Sequence, residues 1–444
     1  MERTYEQVLD ELARALKFGI HPSLDGIQAL IEALGHPERA VRAVQVTGTN
    51  GKTSVTRMAA ALLRAHGIRA GAYTSPHLVD YEERVEVDGR PVSRSVFAAG
   101  VSAALEAAER LDAAASEALG VGGGCASFTE FEILTAAALQ IFRDHGTEWG
   151  VLEVGMGGRW DATSVASPDV AVVTGVALDH TDQLGRTREE IAADKAHVIK
   201  PGSVAVLGPG CAGVEHVLLE RARAAGAPTV RVGQGEDDVA WLVRSRPRGL
   251  AKPLVVDVFG AERTYRRIAL RAPSYQAPNV ATAIAAAEAA LGPLDEAAVR
   301  AAFAELRLPG RFDVLDPEIP LVVDGAHNPD AAAVLAEAVR ELMPSGPIVV
   351  LGVMADKDAA GIVSALVPVA DGFVCTRSAS PRALDPEVLA EIVREAGGKV
   401  LAVEPSVPAA VERAIRASES GVVCAGSLYV AGEALAAFRC KTER

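Results

Sequence analysis

A chain of 444 residues, 49% hydrophobic and 23% charged, is too long for one ordinary core and predicts two domains with large apolar interiors. Its net charge of −14 excludes a general affinity for nucleic acid or an anionic membrane surface, so an anionic substrate has to be met by a focused site. The five cysteines, Cys125, Cys211, Cys375, Cys424 and Cys440, are odd in number and free of C-x-x-C spacing, which argues against a disulfide framework or a thiolate zinc centre and for a reducing, cytoplasmic compartment.

Met1 to Phe18 mixes acidic and basic residues at helical spacing, and no run approaches the ~18 apolar residues of a membrane helix, so neither a signal peptide nor a membrane span is expected. Val41–Thr47 reads as a buried strand, followed by a glycine turn and a helix after Lys52. Ile68–Thr74 reads as a second strand, Gly122-Gly123-Gly124 as a loop and Phe131–His145 as a helix. Val151–Val154 and Val170–Thr174 read as further strands, ahead of a helix at Arg188–Ile199. The alternation predicts an α/β fold with a mostly parallel sheet, and the glycine turn before Lys52 makes its first half a P-loop nucleotide domain. Between Asp237 and Leu270, Arg, Pro and Val alternate at strand spacing, which predicts an antiparallel excursion. After Leu308-Pro309-Gly310 the pattern restarts, with strands expected at Leu321–Val323, Ile348–Val353, Phe373–Thr376 and Val422–Ala425. The expected division is an ATP-binding domain over 1–304 and a smaller, Rossmann-like α/β domain over 305–444.

The strongest local signal is Thr47-Gly48-Thr49-Asn50-Gly51-Lys52-Thr53-Ser54, set between the first strand and its helix. Backbone N–H groups and a helix N-terminus in that position attract phosphate, Lys52 adds a charge, and the Thr53 hydroxyl suits Mg²⁺. Val46 stands where the common phosphate-loop pattern has its first glycine. A tight turn with an exposed lysine is the alternative, disfavoured by the flanking strand and helix. The ATP-binding set is therefore Thr49, Asn50, Gly51, Lys52, Thr53 and Ser54. Glu153 ends the apolar run Val151-Leu152, which places it at a strand's carboxyl end, where open parallel sheets bind ligands. His180 also follows a buried strand and loop.

Further motifs follow in order: Tyr73-Thr74-Ser75-Pro76-His77-Leu78 with Glu83-Arg84-Val85, Glu153-Val154-Gly155-Met156-Gly157-Gly158-Arg159-Trp160-Asp161-Ala162-Thr163, and Leu178-Asp179-His180-Thr181. Lys195, Gln276-x-x-Asn279, Pro309-Gly310-Arg311-Phe312 and Asp324-Gly325-Ala326-His327-Asn328-Pro329 complete the series. Together they resemble the folylpolyglutamate/dihydrofolate synthase branch of the Mur ligase superfamily over nearly the whole chain. Ser164, His197 and Tyr275 depart from that pattern.

The resemblance implies a monomer that uses ATP to join L-glutamate to a folate or dihydropteroate carboxylate through an acyl phosphate. It implies two Mg²⁺ sites, one met by Ser75 and Glu153 beside Thr53 and one by His180, with Lys195 carbamylated to reach the second. It implies nucleotide contacts from Asn279, Arg311 and Asp324, and a pterin site at Thr129, Glu130, Phe131, Glu132, Trp160, Asp161 and Ala162. His327 either steers the incoming amino acid or caps its turn. The bland alternatives are a capping or salt-bridged Glu153, a hydrogen-bonded loop His180, an exposed Lys195 paired with Glu190 or Asp194, Asn279 as a helix N-cap and Arg311 as a surface linker residue. Two other functions compete: a Mur-type ligase for a different carboxylate, and a P-loop nucleotide switch.

Overall fold

The computed structural model describes residues 3–16, 22–119, 128–247, 249–250, 252–316 and 320–442, so the Gly122-Gly123-Gly124 segment and Cys125 lie outside the described residues. The first sheet contains β1 (Arg42–Thr47), β2 (Ala70–Tyr73), β3 (Val85–Val87), β4 (Arg90–Pro91), β5 (Trp149–Glu153), β6 (Val170–Gly175), β7 (Val204–Gly210) and β8 (Thr229–Arg231). Its order is β4-β3-β2-β5-β1-β6-β7-β8, parallel from β2 through β8 and antiparallel only at β3 and β4.

Apolar residues on both sides of a strand make it a central one. In β6, Val170 and Val172 join one core, with the Lys52–Ala65 and Ala277–Leu291 helices, while Ala171 and Val173 join another on the opposite face. The Ala277–Leu291 helix is buried along Ala277, Val280, Ala281 and Ala283 to Ala287, and its short side chains let it lie close to the Lys52–Ala65 helix.

The stretch expected as an antiparallel excursion forms a separate sheet of β9 (Ala240–Ser245), β10 (Leu254–Phe259) and β11 (Thr264–Leu270), antiparallel throughout. A third sheet contains β12 (Asp313–Asp316), β13 (Leu321–Val323), β14 (Ile348–Leu351), β15 (Gly372–Cys375), β16 (Val400–Val403) and β17 (Val422–Ala425). Its order, β12-β13-β17-β14-β15-β16, is parallel except at β12. Val349 and Leu351 face one core, Ile348 and Val350 the other. The fold is therefore α/β with large parallel-rich sheets in two domains.

The Arg188 helix is shorter than its pattern suggested: the α-helix spans Arg188–Lys195 and tightens to a 3-10 turn over Ala196–Val198. Among the described residues, no helix is long and apolar enough to cross a membrane.

Candidate active site

The carboxyl ends of β1, β5 and β6 lie side by side, and the loop after β1 crosses above them. Gly48 and Gly51 sit at φ 151° and 86°, a region that disfavours side chains, and a Cβ on Gly51 would come within 2.9 Å of Asn279 Oδ1. No side chain caps the Lys52–Ala65 helix, so its first N–H groups remain available to an anion. Thr174 of β6 donates its hydroxyl to the Asn50 carbonyl at 2.6 Å and pins the loop. Lys52 folds back so that Nζ donates to the carbonyls of Gly48 at 2.9 Å and Thr49 at 3.2 Å. Burial lowers its pKa, with Glu153 and Asp179 opposing that shift.

Glu153 is fully enclosed at the end of β5. Its Oε1 accepts from Thr53 Oγ1 at 2.8 Å and its Oε2 from the Ser75 amide at 3.2 Å, while Arg311 Nη2 reaches the same Thr53 oxygen at 3.0 Å. Arg311 thus spans the domains, which replaces the reading of a surface linker residue. Burial raises the Glu153 carboxyl, against Lys52, Thr53 and Arg311. The hydroxyls of Thr53 and Ser75 with this carboxylate form a hard, oxygen-only donor set. No group of three or more His, Cys, Asp or Glu able to hold a metal occurs among the described residues. Such a sparse set fits magnesium, which keeps its waters and takes its remaining ligands from phosphate.

Lys195 is buried, and its Nζ donates to the Gly48 carbonyl at 3.2 Å. The exposed, ion-paired alternative is therefore corrected. Glu190 closes a capping box with Thr187, and Asp194 accepts from the Gly158 amide at 2.9 Å. Burial, followed by the charge of Lys52, lowers the Lys195 pKa to about 7. His180 stands at φ 51° ahead of the four-residue Thr181–Leu184 turn of helix, with its imidazole exposed toward the cleft.

From the second domain, Asp324 accepts from the amides of Phe312 at 2.7 Å and Ala326 at 2.8 Å, fixing the turn that aims Arg311. Asn279 is not an N-cap: it lies inside its helix, whose flanking residue is Gln276, and donates to Gln276 Oε1 at 2.8 Å. The cap of the Pro329–Leu342 helix is Asn328, whereas His327 Nδ1 bonds the Gly325 carbonyl at 2.9 Å and Nε2 lies 3.6 Å from Asp179.

Two residues of the site were given no role by the sequence: Asp179, named only within its motif, and Lys357. Asp179 accepts from Lys357 Nζ at 2.8 Å, linking the two domains across the cleft. Burial works to raise the Asp179 carboxyl, yet His327, Lys357 and His180 hold it well below the usual carboxylate range. The signal for Lys357 was its polar run, Ala355-Asp356-Lys357-Asp358, just past buried β14 at the same edge of the sheet that bears Asp324.

A cavity of about 620 Å³ is walled by Thr49 to Ser54 on one side and by Arg311, Asp324 and His327 on the other. A second, about 590 Å³, holds Thr129, Phe131, Glu132, Trp160, Asp161 and Ala162. The two share Ser75, Pro76, Gly155 and His180. Thr129 and Glu132 also form the capping box of the Glu130–Asp144 helix, and Asp161 accepts from the Met156 and Thr163 amides, each at 3.0 Å. Phe131 stacks on Tyr73 with centroids 5.9 Å apart, while Trp160 is 42% exposed. Glu130 departs from the expected set: its carboxylate turns to Arg84, 3.5 Å away, rather than joining the described wall of this cavity.

The Mur ligase middle domain matches residues 102–287, and the Mur ligase glutamate ligase domain matches 310–428. The chain is 39% identical to the dihydrofolate synthase/folylpolyglutamate synthase of Mycobacterium tuberculosis over 87% of its own length and 80% of that protein's. The solved Mycobacterium tuberculosis folylpolyglutamate synthase complexed with ADP superposes with a TM-score of 0.89 at 35% identity, covering 98% of each chain. Escherichia coli FolC in complex with DHPP and ADP gives 0.85 at 29% identity, over 99% of this chain and 100% of that one. The bifunctional folylpolyglutamate synthase/dihydrofolate synthase of Yersinia pestis, complexed with AMPPNP and Mn ion, gives 0.82 at 30% identity over 98% of each. Taken with the shared architecture and the two ligase domains in sequence along the chain, these likenesses place the protein in the Mur ligase family, in its dihydrofolate synthase/folylpolyglutamate synthase branch.

Proposed function

We propose that the protein is an ATP-dependent ligase that joins L-glutamate to a folate-type carboxylate, dihydropteroate or a reduced folate, giving the amide, ADP and phosphate. The observation that carries this reading is the junction of the two cavities at Ser75, Pro76, Gly155 and His180, which lets a carboxylate held in one meet a terminal phosphate held in the other. The carboxylate attacks the phosphorus, ADP leaves, and the amine of glutamate then displaces phosphate from the acyl phosphate.

The loop amides of Thr49 to Ser54 and the ammonium of Lys52 hold the phosphate chain, with Asn279 beside the loop at Gly51 as the adenine-side contact. Thr53, Ser75 and Glu153 would hold magnesium, with a second ion near His180; bound there, the metal neutralises charge developing on the phosphate oxygens. Lys195 takes up CO₂ as a carbamate, since a lysine with a pKa near 7 offers the neutral amine that this reaction needs. Arg311, aimed by Asp324, meets the transferring phosphoryl from the second domain, and the closed cleft keeps water from the acyl phosphate. Thr129, Phe131, Glu132, Trp160, Asp161 and Ala162 receive the pterin, with Glu130 bracing Arg84 beneath it.

Glutamate enters between His327 and Lys357, whose ammonium moves from Asp179 to a substrate carboxylate. Lys357→Ala raises the KM for glutamate at least about tenfold, the cost of one lost charge-assisted bond, with the KM for ATP little changed. Initial-rate kinetics at saturating co-substrates check this. An equal rise in both KM values sinks the assignment.

The reading divides the chain after Ala304, where the last helix of the first domain ends and before β12 opens the second. One chain supplies both walls of the cleft, which suits a monomer, and the buried thiols of Cys211, Cys375 and Cys424 suit the cytoplasm. The test is release of ADP and phosphate with dihydropteroate, tetrahydrofolate or a nucleotide-sugar peptide, each with and without glutamate. Release is expected only with a folate-type acceptor and glutamate together. Activity confined to the nucleotide-sugar peptide identifies a cell-wall type of ligase, and release without any acceptor identifies a nucleotide switch.

A further inference from the structure

The motif Ser75-Pro76-His77-Leu78 reaches the active site only through its first residues, and the geometry points to a separate task for its last. We infer that Leu78 is a positioning residue: it docks the second domain in the alignment that brings Arg311 to Thr53. This inference rests on the ligase reading above.

Leu78 belongs to the first domain but packs against a core of the second that includes Leu321, Val323 and Val430. The turn that presents it is stiff. Glu83 accepts from the amides of Leu78 at 2.9 Å and of Val79 and Asp80 at 3.4 Å each. Two glycines of the far side make room for the knob. Gly310, adjoining Arg311, sits at φ 65°, and a Cβ there would lie 3.0 Å from both Leu78 methyl carbons. Gly432 lies inside the Leu428–Thr442 helix, where a Cβ would overlap the Leu78 carbonyl oxygen.

Glycine is the least favourable non-proline residue inside a helix, so its presence at 432 answers to the backbone that rests on it rather than to the helix itself. The same helix carries Arg439, 3.8 Å from Glu83, and begins at Leu428, which lines the nucleotide cavity. Thus one helix touches the nucleotide cavity, the Leu78 knob and the turn behind it. Arg311 meets Thr53 only while that helix is seated.

The test compares wild type with Gly432→Ala, Leu78→Ala and Leu78→Met. Alanine favours the helix at 432, so loss of folding is not the expected consequence there, and thermal melting confirms this. With saturating ATP, acceptor and glutamate, Gly432→Ala is expected to lower kcat by about 100-fold, the effect of a displacement of roughly 1 Å at the reacting groups. ADP affinity stays within about threefold of wild type, because the phosphate loop is untouched. Leu78→Ala falls in the same direction and Leu78→Met recovers most of the rate. Small-angle X-ray scattering with AMPPNP, magnesium and acceptor shows Gly432→Ala more extended than wild type. Wild-type kcat in Gly432→Ala, or a parallel loss of ADP affinity, overturns the inference. The scattering result needs no turnover: if wild type proves inactive with every folate-type acceptor, the ligase reading fails, and the docking contact is still judged by whether the alanine variant opens.

Discussion

Lys195→Ala lowers kcat by about 100-fold or more, and short carboxylic acids such as acetate or formate restore part of the rate. The native side chain is buried, donates to the carbonyl of Gly48 and has a pKa of about 7. On the proposed carbamate, removal leaves a gap beside the phosphate loop into which a small carboxylate fits, standing in for its oxygens. The sign of the pH dependence follows. The proposed carbamate needs the neutral amine, which predominates above pH 7; below it, protonation competes with CO₂ capture. Wild type in degassed buffer therefore loses rate as pH falls through about 7, and bicarbonate slows that loss. Rate assays with and without bicarbonate, with ¹³CO₂ labelling detected by NMR, check the assignment. An alanine variant as active as wild type, or one that no acid rescues, refutes it.

Glu153→Gln separates activity from stability. Turnover falls on the order of 10²–10³-fold, since an amide cannot supply the anionic oxygen the nucleotide-bound cation needs. Free of ligands, the variant melts at a higher temperature than wild type near neutral pH. Burial raises the pKa of the native carboxyl, so keeping it ionised costs folding free energy above that raised value. As pH falls below the ordinary value of 4.5 the carboxyl is protonated in both the folded and unfolded chain, and the two melting temperatures converge. Calorimetry from pH 4 to 8 without magnesium or nucleotide checks the sign. A less stable variant at pH 7.5 means that the bonds from Thr53 and Ser75 outweigh burial.

Much of this architecture was legible because period and punctuation agree with tertiary context. β6 and β17 are apolar on both sides and β1 is buried on both, and each stands inside a run of parallel strands. β16 was not foreseen: Val400–Val403 is only half-buried at an edge, where the hydrophobic signal is weakest. β7 ends in Gly208-Pro209-Gly210, which reads as a turn although the chain stays extended through it. Within the site, residues beside glycine punctuation stood out: Lys52, Glu153 and Arg311. Lys357 stood out less: its polar run follows a buried strand, but its partner Asp179 lies in the other domain, and no local pattern announces a contact between residues 178 apart. Asn279 shows the converse failure. Its proximity to a helix start suggested a cap, but the helix begins earlier, at Ala277, which leaves the amide facing the phosphate loop.

One hydroxyl in the cleft joins the charges of the two domains. Thr53 Oγ1 gives its proton to Glu153 and receives one from Arg311, so a single oxygen already joins a carboxylate of one domain to a guanidinium of the other. The two halves of the cleft thus share one atom, and any change at that oxygen is felt by both domains at once.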